Sequence, residues 1–128
     1  MSFPERILAA TFDGRADQVR QARRCLTSWL NPSHPVADAA ELLLSEAFTN
    51  STLYAARGAA IEVRARLSGS LLHVQVIDPG GASEPVLQAP SAEAEGGRGL
   101  ALLDLTAKEW GHDRLGDGRL RVWFTLGF

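Results

Sequence analysis

Residues 61–81 read IEVRARLSGSLLHVQVIDPGG. Ile61, Val63, Ala65 and Leu67 alternate with Glu62, Arg64 and Arg66, so one face of this stretch is dry and the other wet. Ser68-Gly69-Ser70 turns the chain, and Leu72, Val74 and Val76 run a second strand back to Asp78. A hairpin with one apolar face has to bury that face against another layer. The flanking sequence supplies the layer.

Upstream, residues 6–12 alternate weakly and predict a strand with Leu8, Ala10 and Phe12 on one face, ended by Asp13-Gly14. From Ala16 the apolar positions become Ala16, Val19, Ala22, Leu26 and Trp29, a helical spacing with arginines outward and a stop at Asn31-Pro32. Ser33-His34-Pro35 opens a second predicted helix, whose apolar stripe is Val36, Ala39, Ala40, Leu43, Ala47 and Phe48 and whose end is Arg57-Gly58. Downstream, residues 79–97 are rich in Gly, Pro, Ala, Ser and Glu and keep no period. A loop this long inside a compact domain is usually functional. Gly99 then leads a third helix through Leu100, Leu103 and Ala107. Two strands close the chain, around Trp110 to Leu115 and Arg119 to Leu126, joined by Gly116-Asp117-Gly118. The order predicts an α+β fold: a two-layer α/β sandwich with a mixed, mostly antiparallel sheet and helices on one face. One domain spans residues 1–128, with a loop at about 79–97.

The bulk numbers narrow the function classes. The 128 residues suffice for one real core and not comfortably for two. Apolar content of 45% and charged content of 22% are ordinary globular values. A net charge of -2 argues against a direct nucleic-acid partner, although Arg20, Arg23 and Arg24 form a local basic strip on a solvated helix face. Cys25 is the single cysteine, which excludes an internal disulfide and a cysteine zinc cluster and suggests a buried thiol. No cationic leader precedes an apolar core, and no run of eighteen apolar residues exists, so the expectation is a cytoplasmic chain with no membrane partner.

Three clusters carry chemistry. Glu46 and Asn50 lie four residues apart on the second helix and share a face beside the apolar stripe. A carboxylate and an amide there need partners, because burial without one costs about 1–3 kcal/mol per group. Taken alone, the pair is also a plausible helix-edge hydrogen bond. Asp78-Pro79-Gly80-Gly81 ends a strand and, alone, is a natural turn. Gly97-Arg98-Gly99-Leu100 lies where loop becomes helix, where glycines permit close approach and free N–H groups attract phosphate. It fits neither the dinucleotide fingerprint nor the P-loop pattern.

Taken in order, the three resemble the N, G1 and G2 boxes of the histidine-kinase-like ATPase superfamily, also called GHKL. The N box is similar to Leu44-Ser-Glu46-Ala-Phe-Thr-Asn50 on a helix, the G1 box to Val76-Ile-Asp78-Pro-Gly80-Gly81 after a strand, and the G2 box to Gly97-Arg98-Gly99-Leu100 at a helix start. The resemblance spans roughly residues 5–126. It implies the histidine-kinase-like ATPase fold, with ATP and Mg²⁺ as ligands and residues 82–96 as a lid. By that resemblance Asn50 holds Mg²⁺, Glu46 is the general base, Asp78 accepts from the adenine amino group, and Gly80 lets backbone pass the base. Gly97 and Gly99 cradle phosphate at the helix start, where Arg98 and Leu100 complete the box.

No segment here matches a dimerising phosphoacceptor domain, and His34, His73 and His112 sit in ordinary surroundings. Ser45-Glu46-Ala-Phe-Thr-Asn50, Gly97-Arg-Gly-Leu-Ala-Leu-Leu-Asp104 and Trp110-Gly111 are similar to stand-alone anti-sigma factor serine/threonine kinases. That group implies a sigma factor and a STAS-domain anti-anti-sigma protein as partners. It also implies a homodimer formed through the N-terminal strand and helix. The sequence departs from the family pattern at Tyr54, where many members have histidine, at Pro79, and at Glu95, where some kinases carry arginine. A kinase, a nucleotide-loaded switch that transfers no phosphate, and a fold kept only for protein contact are the three readings.

Overall fold

The computed structural model describes residues 5–54, 59–80 and 107–128. Within them the order is β1 (Arg6–Asp13), a 3-10 turn (Ala16–Gln18), α1 (Val19–Leu30), α2 (Ala37–Tyr54), β2 (Ala60–Ser68), β3 (Leu71–Asp78), β4 (Glu109–Arg114) and β5 (Leu120–Gly127). The strands form one five-stranded sheet in the order β1-β2-β3-β5-β4. All four pairings are antiparallel. The fold is therefore α+β, as the alternation of residues 61–78 requires. The third helix predicted from Gly99 lies outside the described residues.

The period-2 pattern decides which face is dry. Ile61, Val63 and Ala65 of β2, Leu72, Val74 and Val76 of β3, and Phe124 and Leu126 of β5 are buried on one side of the sheet. Against them lie Ala22, Leu26 and Leu30 of α1 and Ala40, Leu43, Leu44, Ala47 and Phe48 of α2. Phe12 of β1 meets Phe48 edge-on, with ring centroids 6.0 Å apart. Arg6 of β1 donates to the Trp29 carbonyl and lies 5.1 Å over the Trp29 ring, tying the first strand to the end of α1. Cys25 is half-buried, not enclosed as its apolar neighbourhood suggested.

The connection between the helices departs from the predicted boundary. Asn31 stops α1 with φ of 93°, and its N–H donates to the Thr27 carbonyl. Its side-chain oxygen then accepts from both the Ser33 N–H and hydroxyl, at 3.0 and 2.8 Å. The Ser33-His34-Pro35 stretch is thereby spent on a turn, and α2 begins at Ala37. The His34 ring joins this turn: its Nδ1 accepts from the Val36 N–H at 3.3 Å, one residue before the helix. The same ring packs edge-on against Phe128, 4.5 Å between centroids. A side-chain turn of this kind is a local competitor that hydrophobic spacing does not register.

Candidate functional site

α2 carries the first part of the site. Its buried stripe includes Leu43, Leu44, Ala47 and Phe48, while Glu46 and Asn50 are half-buried at the border of that stripe. One helical turn separates them, so their oxygens project from the same side. Glu46 forms no ion pair among the described residues. It borders a hollow of about 390 Å³ between α1 and α2, lined also by Arg23, Asp38, Glu41, Leu42 and Ser45. The one arginine there is already engaged, since Arg23 Nε donates to Glu41 Oε1 at 3.0 Å. Ser45 returns its hydroxyl to the Glu41 carbonyl at 2.7 Å. The Glu46 carboxylate thus keeps its accepting capacity.

The end of β3 carries the second part. Asp78 is 6% exposed, one of two buried polar residues among those described, the other being Ser51 on α2. Asp78 Oδ1 accepts from the Gly80 N–H at 2.8 Å, an Asx-type turn that fixes the carboxylate where the strand stops. A carboxylate offers about four lone-pair sites, so this bond leaves others for a ligand donor such as an amino group. Gly80 has φ of +75°, and a Cβ there would stand 2.7 Å from the Gly118 carbonyl oxygen and 3.2 Å from Arg114 Nη1. Arg114 Nη1 in turn donates to that carbonyl at 2.8 Å. The close approach that demands glycine at position 80 is, among the described residues, an approach to the β4–β5 turn.

The donor set suits the implied ligands. Asn50 supplies a hard oxygen of the kind Mg²⁺ takes, Glu46 a carboxylate without an ion pair among the described residues and so suited to accept a proton, and a buried acceptor at Asp78 suits a base amino group. The hollow beside Glu46 does not extend to Asp78. Gly97, Arg98, Gly99 and Leu100, with the lid at 81–97, lie outside the described residues.

Two features escaped the sequence reading. Ser51 is a hydroxyl on the core-facing stripe, and its spacing from Ala47 and Phe48 carried the signal. His73 is the other. Its Nδ1 lies 3.1 Å from Thr125 Oγ1, its Nε2 lies 3.1 Å from Gln75 Nε2, and its ring is tilted over Trp123 at 5.6 Å. Burial, then the charges of Arg66 and Arg121, hold it below the ordinary histidine range. Its position in a strand made it look like a plain surface or core residue.

Comparison with known proteins gives the family. No curated protein matches the chain. Among solved structures, the Acinetobacter baumannii histidine kinase AdeS is similar in fold, with a TM-score of 0.57 and 14% identity. The match covers 95% of this chain and 68% of that one. Residues 12–126 match the histidine kinase-like ATPase domain family, a span that takes in Glu46, Asn50, Asp78 and the Gly97–Leu100 box. Matched over most of its length and built on the same α+β plan, the chain belongs to the histidine kinase-like ATPase family.

Proposed function

We propose that the protein binds ATP with Mg²⁺ and transfers its γ-phosphoryl group to a serine or threonine hydroxyl of another protein. The observation that carries this reading is a juxtaposition of sequence and burial. Glu46 and Asn50 stand one turn apart at the edge of the helix packed on β3, and β3 ends in the buried carboxylate of Asp78. Asp78 orients the base by accepting from its amino group. Asn50 offers the oxygen that holds Mg²⁺, which when bound neutralises phosphate charge. Glu46 accepts the proton of the attacking hydroxyl as the bond to the leaving ADP oxygen breaks. By similarity to the anti-sigma factor kinase group, the protein sequesters a sigma factor, and the phosphorylated protein is a STAS-domain antagonist.

A specific observation favours a second reading, a nucleotide-loaded switch that grips its partner without phosphotransfer. Residues 82–96 contain Glu84, Glu93 and Glu95 and no lysine or arginine, so this stretch brings no cation to the phosphates. Labelled ATP with Mg²⁺ and a STAS protein separates the two. Label on a serine or threonine supports the kinase, and retention of nucleotide with an unlabelled partner supports the switch. Glu46→Ala should keep nucleotide affinity within a few-fold and remove labelling. Loss of binding with labelling retained would reverse the assigned roles.

A further inference from the structure

The turn between β4 and β5 is pinned more firmly than a hairpin end requires. The Gly118 N–H donates to the Leu115 carbonyl at 2.9 Å, and the Leu115 N–H donates to the Arg119 carbonyl at 2.7 Å. Asp117 accepts from the Arg119 N–H at 3.1 Å on one oxygen and from Arg119 Nε at 2.7 Å on the other. Arg119 also reaches past β3 to Glu62 of β2 at 3.6 Å, and Arg64 holds the same carboxylate at 2.9 Å. Yet none of residues 115–119 belongs to the hydrophobic core.

What this turn touches gives it a use. Register sets Leu120 opposite Asp78, so the turn lies just past the end of β3, beside Gly80. There the two backbones meet. A Cβ on Gly80 would stand 2.7 Å from the Gly118 carbonyl oxygen. Arg114 Nη1 donates to that same oxygen at 2.8 Å and fixes where it points. The Gly80 N–H donates in turn to Asp78 Oδ1 at 2.8 Å. The contacts form a chain from the Arg114 guanidinium through the Gly118 carbonyl and the Gly80 backbone to the Asp78 carboxylate.

Of these four groups only Asp78 meets the nucleotide in the proposed function. An acceptor that selects a base must hold its lone pairs on a fixed line, because a hydrogen bond weakens steeply off axis. The N–H that holds Asp78 belongs to a glycine at φ of +75°. Glycine has the freest backbone of any residue, so local preference does not keep that N–H in place. What packs against Gly80 keeps it, and among the described residues that is the Gly118 carbonyl with Arg114 behind it. A bond from a guanidinium is charge-assisted and stronger than a neutral one, which suits an exposed strand end. We infer that the β4–β5 turn positions the carboxylate that reads the base, with Arg114 as the positioning residue for nucleotide selection, acting through Gly118 and Gly80 without touching the nucleotide. The inference rests on the proposal that Asp78 accepts from the base amino group. Were Arg114 only a hairpin clasp, its loss would cost stability and would not distinguish one nucleotide from another.

Calorimetry of the full chain with Mg²⁺ tests it, using ATP and purine riboside 5′-triphosphate, which carries hydrogen in place of the amino group. Arg114→Ala should weaken ATP binding about three- to tenfold, the worth of one hydrogen bond, and leave the analogue within about twofold. Arg114→Lys, which keeps a cationic donor, should recover most of the ATP affinity. In an Asp78→Asn background, Arg114→Ala should cost less than about twofold, because the route ends at Asp78. Equal losses for both nucleotides, an undiminished loss in the Asp78→Asn background, or a lowered melting temperature with ATP affinity unmoved overturns the inference. If Asp78→Asn weakens ATP binding and Arg114→Ala spares it, the inference alone fails. If Asp78→Asn itself changes nothing, the role of Asp78 falls and the inference with it. Arg114→Gln, a neutral donor, carries the same comparison should Arg114→Ala not fold.

Discussion

Asp78 holds the turn after β3 and, in the proposed function, also accepts from the base; a single substitution separates the two. Its Oδ1 holds the Gly80 N–H, a bond that an asparagine oxygen keeps. Asp78→Asn should therefore preserve the fold while losing a charge-assisted bond to the base. Such a bond is worth roughly 1.5–3 kcal/mol, so ATP affinity should fall about ten- to a hundredfold by calorimetry. Unchanged affinity would remove Asp78 from the site. His73 gives a prediction about pH. Its folded pKa is held below 6.5, so the unfolded chain takes up the proton first. Stability should then decline as pH falls below about 6.5 and level off below the folded pKa. Melting temperature should drop between about pH 7.5 and 5.5, and His73→Gln should flatten that dependence. An identical slope in the variant would place the titration elsewhere. Asp113 and Asp117 have carboxyls lowered from 3.8, first by the Arg121 side chain and the Arg119 N–H respectively, so their contributions are lost only at more acidic pH.

At the scale of elements, α2 is a core member and the carrier of the proposed site together. Phe48 is fully buried against Phe12 and the sheet, so Phe48→Ala should cost about 3–5 kcal/mol in denaturant unfolding. A cost under 1 kcal/mol would mean that the site collapses without a cavity. The turn after β3 is a second lever. Gly80→Ala adds a Cβ at positive φ, worth roughly 1–2 kcal/mol, and drives it into the Gly118 carbonyl. Stability should fall, and the Arg114–Gly118 bond should loosen with it. Much of this was legible in the chain. The pattern of Leu43, Ala47 and Phe48 placed Glu46 and Asn50 at the border of the stripe, and their half-burial agrees. What spacing did not reveal was Asn31 diverting Ser33 into a turn, because a side-chain hydrogen bond leaves no periodic trace.

For the whole molecule, nucleotide binding and folding are linked. A ligand at a hundred times its dissociation constant stabilises the bound fold by about 2.7 kcal/mol. ATP with Mg²⁺ should raise the melting temperature by several degrees, and Asp78→Asn should abolish most of that rise at the same ATP concentration. No shift at millimolar nucleotide would contradict ATP binding. The sequence by itself determined the layering. Alternation over residues 61–78 demanded a sheet with one dry face, and the stripes of the two helices supplied its cover, because burial depends on period and both periods are written in the chain. It also supplied the side chains proposed for the chemistry, since motif spacing survives any uncertainty in element ends. Only the tertiary structure decided the strand order that sends β5 between β3 and β4 and sets Trp123 beside His73. Only it showed that Gly80 packs on the β4–β5 turn. The reason is physical: these are relations between residues 38 to 50 positions apart, fixed by how the sheet closes its hydrogen bonds and not by any local preference of the backbone.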